Sequence, residues 1–432
     1  MKYFSLNKQA PDVDFREATI RGQAPDKGLY FPERVPQVDP GLIAQIEDLS
    51  EAEIAFRVML PFVYDTIDEP NVHRIVSETI NFPFPVVPVD DHSFSLELFH
   101  GPTLAFKDVG ARFMSRCLGY FSRDQKKKIT VLVATSGDTG GAVVNGFLGV
   151  EGVEVVILYP SGKVSPVQEL QLTTCGQNIT ALEVTGSFDD CQAMVKDAFM
   201  DADLQNKLQL TSANSINVAR WLPQQLYYFF AWKQWKQKEQ PPVIAVPSGN
   251  FGNICAGLLA HASGLPIKHF IAACNVNDAV PDYLRSGHYS PKTAVPTISN
   301  AMDVGSPSNF IRILELFRNN YEKITSKITG FTVSDEQTRQ TIAEVYRSHN
   351  YILDPHGAVA YYALQHYLET HPTAKGIFLE TAHPVKFPET VEAMTGHKLA
   401  IPASAQELFS KEKVSVKMGN DFASLKDWLI NH

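Results

Sequence analysis

Largely apolar runs recur along the chain at residues 129–134, 153–158, 179–184, 243–247, 270–273 and 376–379. None shows the alternation of a half-buried strand, so each predicts a strand covered on both faces. Helical patterns fall between them. One runs from Ala142, and one is opened at Ser165-Pro166 by an N-cap serine and a first-position proline. Two more cover 189–200 and 254–262, and the aromatic stretch 221–235 predicts another. Apolar strands alternating with helices predict a parallel α/β sheet. Residues 1–90 differ: 38–62 read as helical pieces, with Ile43, Ile46, Leu49, Ile54, Val58 and Leu60 as core positions. Segment 81–88 is apolar and proline-rich. Proline cannot donate to a sheet ladder, so this segment predicts a packed connector and a domain boundary. The expected organisation is an N-terminal region over 1–90 packed on two α/β lobes, approximately 91–210 and 211–432. No repeat of solenoid period and no low-complexity segment is apparent in the sequence.

The chain has 432 residues, 44% hydrophobic and 20% charged. That suffices for a large core and, at roughly 150 residues per domain, for two or three domains. Lysine and arginine total 38 against 47 aspartates and glutamates, a net charge of −9. This argues against a dedicated nucleic-acid binder, which is usually basic, but leaves room for a local basic pocket that takes a small anion. The first residues have no apolar core of signal-peptide length, and no run approaches the roughly 20 apolar residues of a membrane span. The five cysteines (Cys117, Cys175, Cys191, Cys255 and Cys274) are widely spaced with no CxxC pair. They read as reduced, mostly buried thiols. A soluble, cytoplasmic protein with neither a nucleic-acid nor a membrane partner is expected.

Two strand–turn–helix patterns carry glycine-rich turns: Ser136, Gly137, Asp138, Thr139, Gly140 and Gly141, then Ser248, Gly249, Asn250, Phe251, Gly252 and Asn253. Ligands of open α/β sheets bind beyond the carboxyl ends of the strands. A helix start there offers free N–H groups to an anion. One such turn alone is more often a plain βα connection, but two tilt towards anion sites. Neither is a Walker loop, and the first is not GxGxxG, so a nicotinamide cofactor is weakly supported. The histidines show no metal-ligand spacing.

Three further segments hold candidate chemistry. Lys107 sits between Leu104-Ala105-Phe106 and an amphipathic helix that carries Val109, Phe113, Met114, Cys117, Leu118 and Phe121. A lysine at a helix start opposes the macrodipole, and desolvation would lower its pKa further, as Schiff-base chemistry requires. The alternative is a lysine that snorkels to solvent. Asn214, Ser215 and Arg220 cluster at a helix start. Arg220 is either a bidentate phosphate ligand or a surface residue behind an N-cap. Thr381 follows a late strand, where a hydroxyl either meets a ligand or belongs to the turn that Pro384 favours.

Together these motifs resemble threonine synthases, pyridoxal-phosphate enzymes of the tryptophan-synthase-β fold type. The matching stretches are GLYFP at 28–32, HGPTLAFKDVG at 100–110, ATSGDTGGAV at 134–143, NSINVAR at 214–220, PSGNFGN at 247–253, AMDVGSPSNF at 301–310 and TAHPVKFP at 381–388. The resemblance implies two open, twisted parallel-sheet lobes with helices on both faces (fold type II), plus the N-terminal region. The pyridoxal 5'-phosphate would lie between the lobes. It implies that Lys107 is the lysine linked to the cofactor. Ser248, Gly249, Asn250, Phe251, Gly252 and Asn253 would cradle the cofactor phosphate, and Thr381 would bond the pyridine nitrogen. Ser136, Gly137 and Thr139 would face the ring and the substrate carboxylate. Asp138 stands where many relatives of this fold type carry asparagine, which leaves the partner of the cofactor's 3'-oxygen open. Asn214, Ser215 and Arg220 would clamp the substrate phosphate. The implied reaction takes O-phospho-L-homoserine and water to L-threonine and phosphate, with no metal. A phospho-lyase yielding 2-oxobutyrate from the same substrate shares most of these residues. A nicotinamide dehydrogenase and a non-catalytic phosphate-binding module are more distant rivals. Monomer and homodimer are both open.

Overall fold

The computed structural model describes residues 1–123, 127–135 and 137–432. Three sheets organise it. A small antiparallel pair joins β1 (Tyr3–Ser5) to β2 (Tyr30–Pro32), with Tyr3 opposite Pro32. The remaining strands are β3 (Val86–Pro88), β4 (Ser93–Glu97), β5 (Ile129–Ala134), β6 (Val153–Pro160), β7 (Ile179–Val184) and β8 (Gln209–Thr211). They continue with β9 (Val243–Pro247), β10 (His269–Cys274), β11 (Ile328–Thr332), β12 (Gly376–Glu380) and β13 (Val416–Met418). A six-stranded sheet has the order β11-β10-β9-β12-β4-β3, and a five-stranded sheet the order β13-β7-β6-β5-β8. Every pair in both larger sheets is parallel except β3 with β4. This is the expected α/β architecture of two parallel-sheet lobes, and the apolar runs became its main strands. Every residue of β5, β9 and β12 is buried, as helices on both faces of a parallel sheet require.

Three local expectations change. Segment 81–88 is more than a connector. Val86–Pro88 pairs antiparallel along β4, and as the sheet's edge strand it tolerates proline. The expected helix over 221–235 is broken into Val218–Trp221, a 3-10 turn Leu222–Gln225, and Leu226–Gln234. Pro223 supplies no N–H to an α-helical ladder there. Strand pairing also does not follow a cut at 210/211. β4 precedes the Lys107 segment yet completes the six-stranded sheet beside β12, and β13, near the C-terminus, covers the β7 edge of the other sheet. Pairing is a tertiary choice, and an open edge favours whichever strand reaches it.

Helices Glu51–Val63 and Glu69–Thr79 of the N-terminal region pack into the largest apolar cluster through Ile54, Val58, Phe62, Val72 and Val76. Among the described residues no helix is long and apolar enough to cross a membrane. The carboxyl ends of β5, β9 and β12 lead directly into the segments that carry the candidate chemistry.

The helix Gly252–Ala262 lies so close to its neighbours that a Cβ on Gly257 would stand 2.4 Å from Tyr228 Cζ and 2.8 Å from a Phe270 ring carbon. Tyr228 cannot swing aside freely, because its hydroxyl donates to Asn253 O at 2.7 Å. Overpacking costs about 1–3 kcal/mol, partly offset by roughly 1 kcal/mol of helix propensity gained by replacing glycine. Gly257→Ala should therefore lower the urea midpoint of unfolding by the equivalent of about 1–2 kcal/mol. An unchanged midpoint would mean that the Tyr228 ring has slack.

Candidate active site

Lys107 opens the helix Lys107–Ser122, and the turn before it is tight. Leu104 is left-handed at φ +59°, a conformation bulky side chains rarely hold. Thr103 braces this turn by donating its amide (3.0 Å) and hydroxyl (2.6 Å) to the Asp108 carboxyl. Burial still pushes the Asp108 pKa up. The segment is stitched to the end of β12: Phe106 N–H donates to Thr381 O at 2.9 Å, and Ala105 bridges Ala382. Lys107 is half-buried rather than snorkelling to solvent. Burial lowers its pKa, and the Lys386 and Arg220 charges push the same way against the pull of Asp138.

The first glycine-rich turn follows β5. Gly137 has φ +139°, and a Cβ there would stand 2.3 Å from Gln168 Cδ. Thr135 Oγ1 accepts from Gly137 N at 3.0 Å and Gly140 N at 2.8 Å. Asp138 starts the helix Asp138–Phe147 and is buried. Gln168 Nε2 donates to its Oδ1 at 2.8 Å, and Lys386 Nζ stands 2.7 Å from the same oxygen. Burial alone would raise the Asp138 pKa, but Lys386 and Lys107 hold the carboxylate well below its usual range. Thr139 is half-buried beside it. Ser136 lies outside the described residues.

The second turn follows β9. Ser248 is buried, with its hydroxyl donating to Val246 O at 2.8 Å. A Cβ on Gly249 would meet Met302 Cα at 2.7 Å, so the 301–310 segment packs directly on the loop. Phe251 is left-handed at φ +61° and leads into the helix Gly252–Ala262, which no side chain caps. Asn253 Nδ2 closes the loop onto Pro247 O at 2.8 Å. The backbone amides of Gly249, Asn250, Phe251, Gly252 and Asn253 donate to no acceptor among the described residues.

Arg220 is almost fully buried, which removes the surface reading. Its Nη1 donates to Ala213 O at 2.7 Å, while Nε has no partner among the described residues. Gly110 of the Lys107 helix permits this approach, since a Cβ there would stand 2.6 Å from Arg220 O. Burial lowers the Arg220 pKa to about 10, so it stays charged at neutral pH. Ser215 Oγ accepts from Asn250 Nδ2 at 2.9 Å, which ties the two loops together. The Asn214 amide donates to Ser212 Oγ at 3.3 Å, and its side chain bonds none of the other described candidates.

Thr381 directly follows Glu380, the last residue of β12, and is buried. Glu380 is completely buried, and a Cβ on Gly357 would stand 2.1 Å from its Oε1. Burial, then Asp354 within hydrogen-bonding reach, drive its pKa well upward. Asp354 Oδ1 pairs with His356 Nδ1 at 2.5 Å, and His356 Nε2 accepts from Ala301 N at 3.2 Å. The sequence reading missed Glu380, Lys386, Gln168 and Asp108. Lys386 and Asp108 left a signal, each lying inside a segment already singled out, at 381–388 and 100–110. A cavity of about 550 Å³, lined by Arg74, Glu78 and Arg116, lies apart from all of these residues.

Two mainly parallel sheets, a desolvated lysine at a helix start and an amide-lined loop beyond β9 define the class. Residues 85–377 match the family described as pyridoxal-phosphate dependent enzyme. The flanks match the threonine synthase N terminus over 2–80 and the threonine synthase C-terminal region over 357–429. Threonine synthase of Haemophilus influenzae is 44% identical over 431 residues, covering 100% of both chains. The crystal structure of threonine synthase from Escherichia coli superposes with TM-score 0.92 at 44% identity and 100% coverage of each chain. The pyridoxal-phosphate-bound threonine synthase from Brucella melitensis gives TM-score 0.94 at 35% identity, covering 100% of this chain and 99% of that one. The chain belongs to the threonine synthase family. Its residues fit the family's cofactor, because a run of unbonded amides at a helix start suits a phosphate and a desolvated lysine suits an aldehyde.

The raised pKa of Glu380 has a consequence for stability. The folded chain keeps this proton over a pH range in which the unfolded chain has lost it. Its contribution is therefore greatest below the ordinary carboxylate range and declines as pH rises towards the folded value. Glu380→Gln supplies an uncharged isostere that needs no proton. Its unfolding temperature should fall less between about pH 5 and pH 8 than that of the parent. A slope equal to the parent's in scanning calorimetry would contradict a protonated Glu380.

Proposed function

We propose that this chain works in the cytoplasm and converts O-phospho-L-homoserine and water to L-threonine and phosphate, with Lys107 as its catalytic base. The observation that carries the reading is the Lys107 amine, desolvated at a helix start and flanked by two further cations. Such an amine is more readily neutral, and a neutral amine is both a nucleophile towards an aldehyde carbon and a base. The five thiols are free, as a reducing compartment would keep them.

Pyridoxal phosphate, when bound, supplies an electron sink that makes protons at Cα and Cβ of an amino acid removable. Lys107 Nζ is the group that would hold its aldehyde carbon as a Schiff base. The amides from Gly249 to Asn253, with Ser248 before them, would hold its phosphate. Thr381 Oγ1 would meet the pyridine nitrogen and, unlike a carboxylate, would not enforce protonation there. Asp138, kept ionised by Lys386, would lie near the 3'-oxygen. Gly137 and Thr139, with Ser136, would receive the substrate carboxylate.

Lys107 Nζ, once freed by the incoming amine, takes the proton from Cα. Loss of a further proton at Cβ lets phosphate leave from Cγ. Protonation at Cγ, addition of the water oxygen at Cβ and return of a proton from Lys107 to Cα then complete the exchange, which balances as substrate plus water to threonine plus phosphate. Arg220, with a buried Nε and no carboxylate partner, stabilises the departing phosphate, with Asn214 and Ser215 beside it. Excluding stray water from these steps calls for closure of the site.

Incubating the holoenzyme with O-phospho-L-homoserine should yield threonine and equimolar phosphate, whereas 2-oxobutyrate would move the chain to the phospho-lyase reading. Lys107→Ala should cut turnover at least about a hundredfold and abolish borohydride trapping of the cofactor. Retained trapping would sink its assignment. Arg220→Ala should raise KM for the phosphorylated substrate by about 10–100-fold, the loss of one charge-assisted contact. The cofactor should stay bound. Its loss in a cofactor-absorbance titration would contradict that division of roles.

A further inference from the structure

Arg312 lies on the helix Phe310–Leu316, just past the 301–310 motif, and the proposed chemistry does not use it. It is fully buried. Nη1 donates to Ser215 O at 2.9 Å and Asn309 Oδ1 at 2.6 Å, and Nη2 to Ile216 O at 2.7 Å and Tyr30 O at 3.2 Å. Its Cζ stands 4.5 Å from the Trp221 ring centroid, and Trp221 stacks on Phe31 at 5.6 Å. All four acceptors are uncharged. One planar fork therefore gathers the 28–32, 214–220 and 301–310 motifs, a task that a lysine ammonium cannot perform.

The bond to Asn309 decides how the next residues point. Because Oδ1 accepts from Arg312, Asn309 must present Nδ2 to the other side, where it donates to Ser215 Oγ at 3.0 Å and Asn250 O at 3.1 Å. Asn250 is oriented in the same way. Its Oδ1 accepts from Ser308 N at 2.6 Å, so its Nδ2 is the atom that reaches Ser215 Oγ at 2.9 Å. A hydroxyl oxygen has two acceptor positions. Both are taken at Ser215, and its O–H donates to no acceptor among the described residues.

We propose that Arg312, acting through Asn309, is a positioning residue that turns Ser215 into an obligate hydrogen-bond donor aimed at the phosphate of the substrate. The proposal rests on Ser215 belonging to the phosphate clamp.

The test measures inorganic-phosphate binding to the holoenzyme by calorimetry, with KM for O-phospho-L-homoserine alongside. Arg312→Lys keeps the charge but loses the fork. It should weaken phosphate binding and raise KM at least about tenfold, the scale of one charge-assisted contact, with the cofactor spectrum and cofactor affinity unchanged. Asn309→Asp is the second variant, should Arg312→Lys not fold. Its carboxylate still satisfies Arg312 but accepts the Ser215 proton instead of donating, so the same weakening is expected in a stable chain. In a Ser215→Ala background, Arg312→Lys should add little further loss. Additive losses would overturn the proposal, as would parental phosphate binding in either variant while Ser215→Ala alone weakens it. Unchanged phosphate binding in Ser215→Ala would overturn the clamp reading itself, and this inference with it.

Discussion

A single buried ion pair joins the carboxyl ends of the two larger sheets. Lys386, from the turn after β12, places Nζ 2.7 Å from Asp138 Oδ1, at the start of the helix after β5. Lys386 also donates to Thr103 O at 2.9 Å and Gln171 Oε1 at 3.3 Å, and Gln168 supports Asp138 from the same helix as Gln171. Thr103 in turn braces the Lys107 turn through Asp108. One knot therefore sets the distance between the sheets and the pose of the lysine. Burying both charges is costly, and removing one partner of such a pair typically destabilises by about 3–5 kcal/mol. Its value lies in fixing one arrangement of the two sheet ends.

The charge balance around this knot is lopsided. Lys107, Lys386, Arg220 and Arg312 are brought inside, while Asp138 is the carboxylate held firmly ionised and Asp108 is pushed towards its neutral form. An excess of buried cations is stable only where anions or oriented acceptors offset it. Arg312 finds four acceptors in backbone and amide oxygens, whereas Arg220 makes one such bond, from Nη1, and the Nε of each has no partner among the described residues. That deficit, with the unbonded amides of the loop after β9, suits a site built for two phosphates: one on the cofactor and one on the substrate.

Much of this was legible in the chain itself. Apolar runs marked β5, β6, β7, β9, β10 and β12 nearly to the residue, because a strand buried on both faces tolerates little else. The short strands β4, β8, β11 and β13 gave no such signal. Their residues face mixed surroundings, and they become strands only because an edge is there to pair with. The motif residues were visible because glycine, asparagine and serine turns are written locally. Arg312 and Glu380 were not, because nothing local marks an arginine or a glutamate as buried.

The sequence by itself determined the βα rhythm, the two glycine-rich turns and the position of Lys107 at a helix start, since each follows from neighbouring residues and backbone sterics. Only the tertiary structure decided which strand pairs with which, and that Lys386 rather than solvent faces Asp138. It alone turned Arg220 and Arg312 inward. Charge pairing, desolvation and hydrogen-bond direction depend on residues far apart in the chain, and they take values only once the sheets have come together.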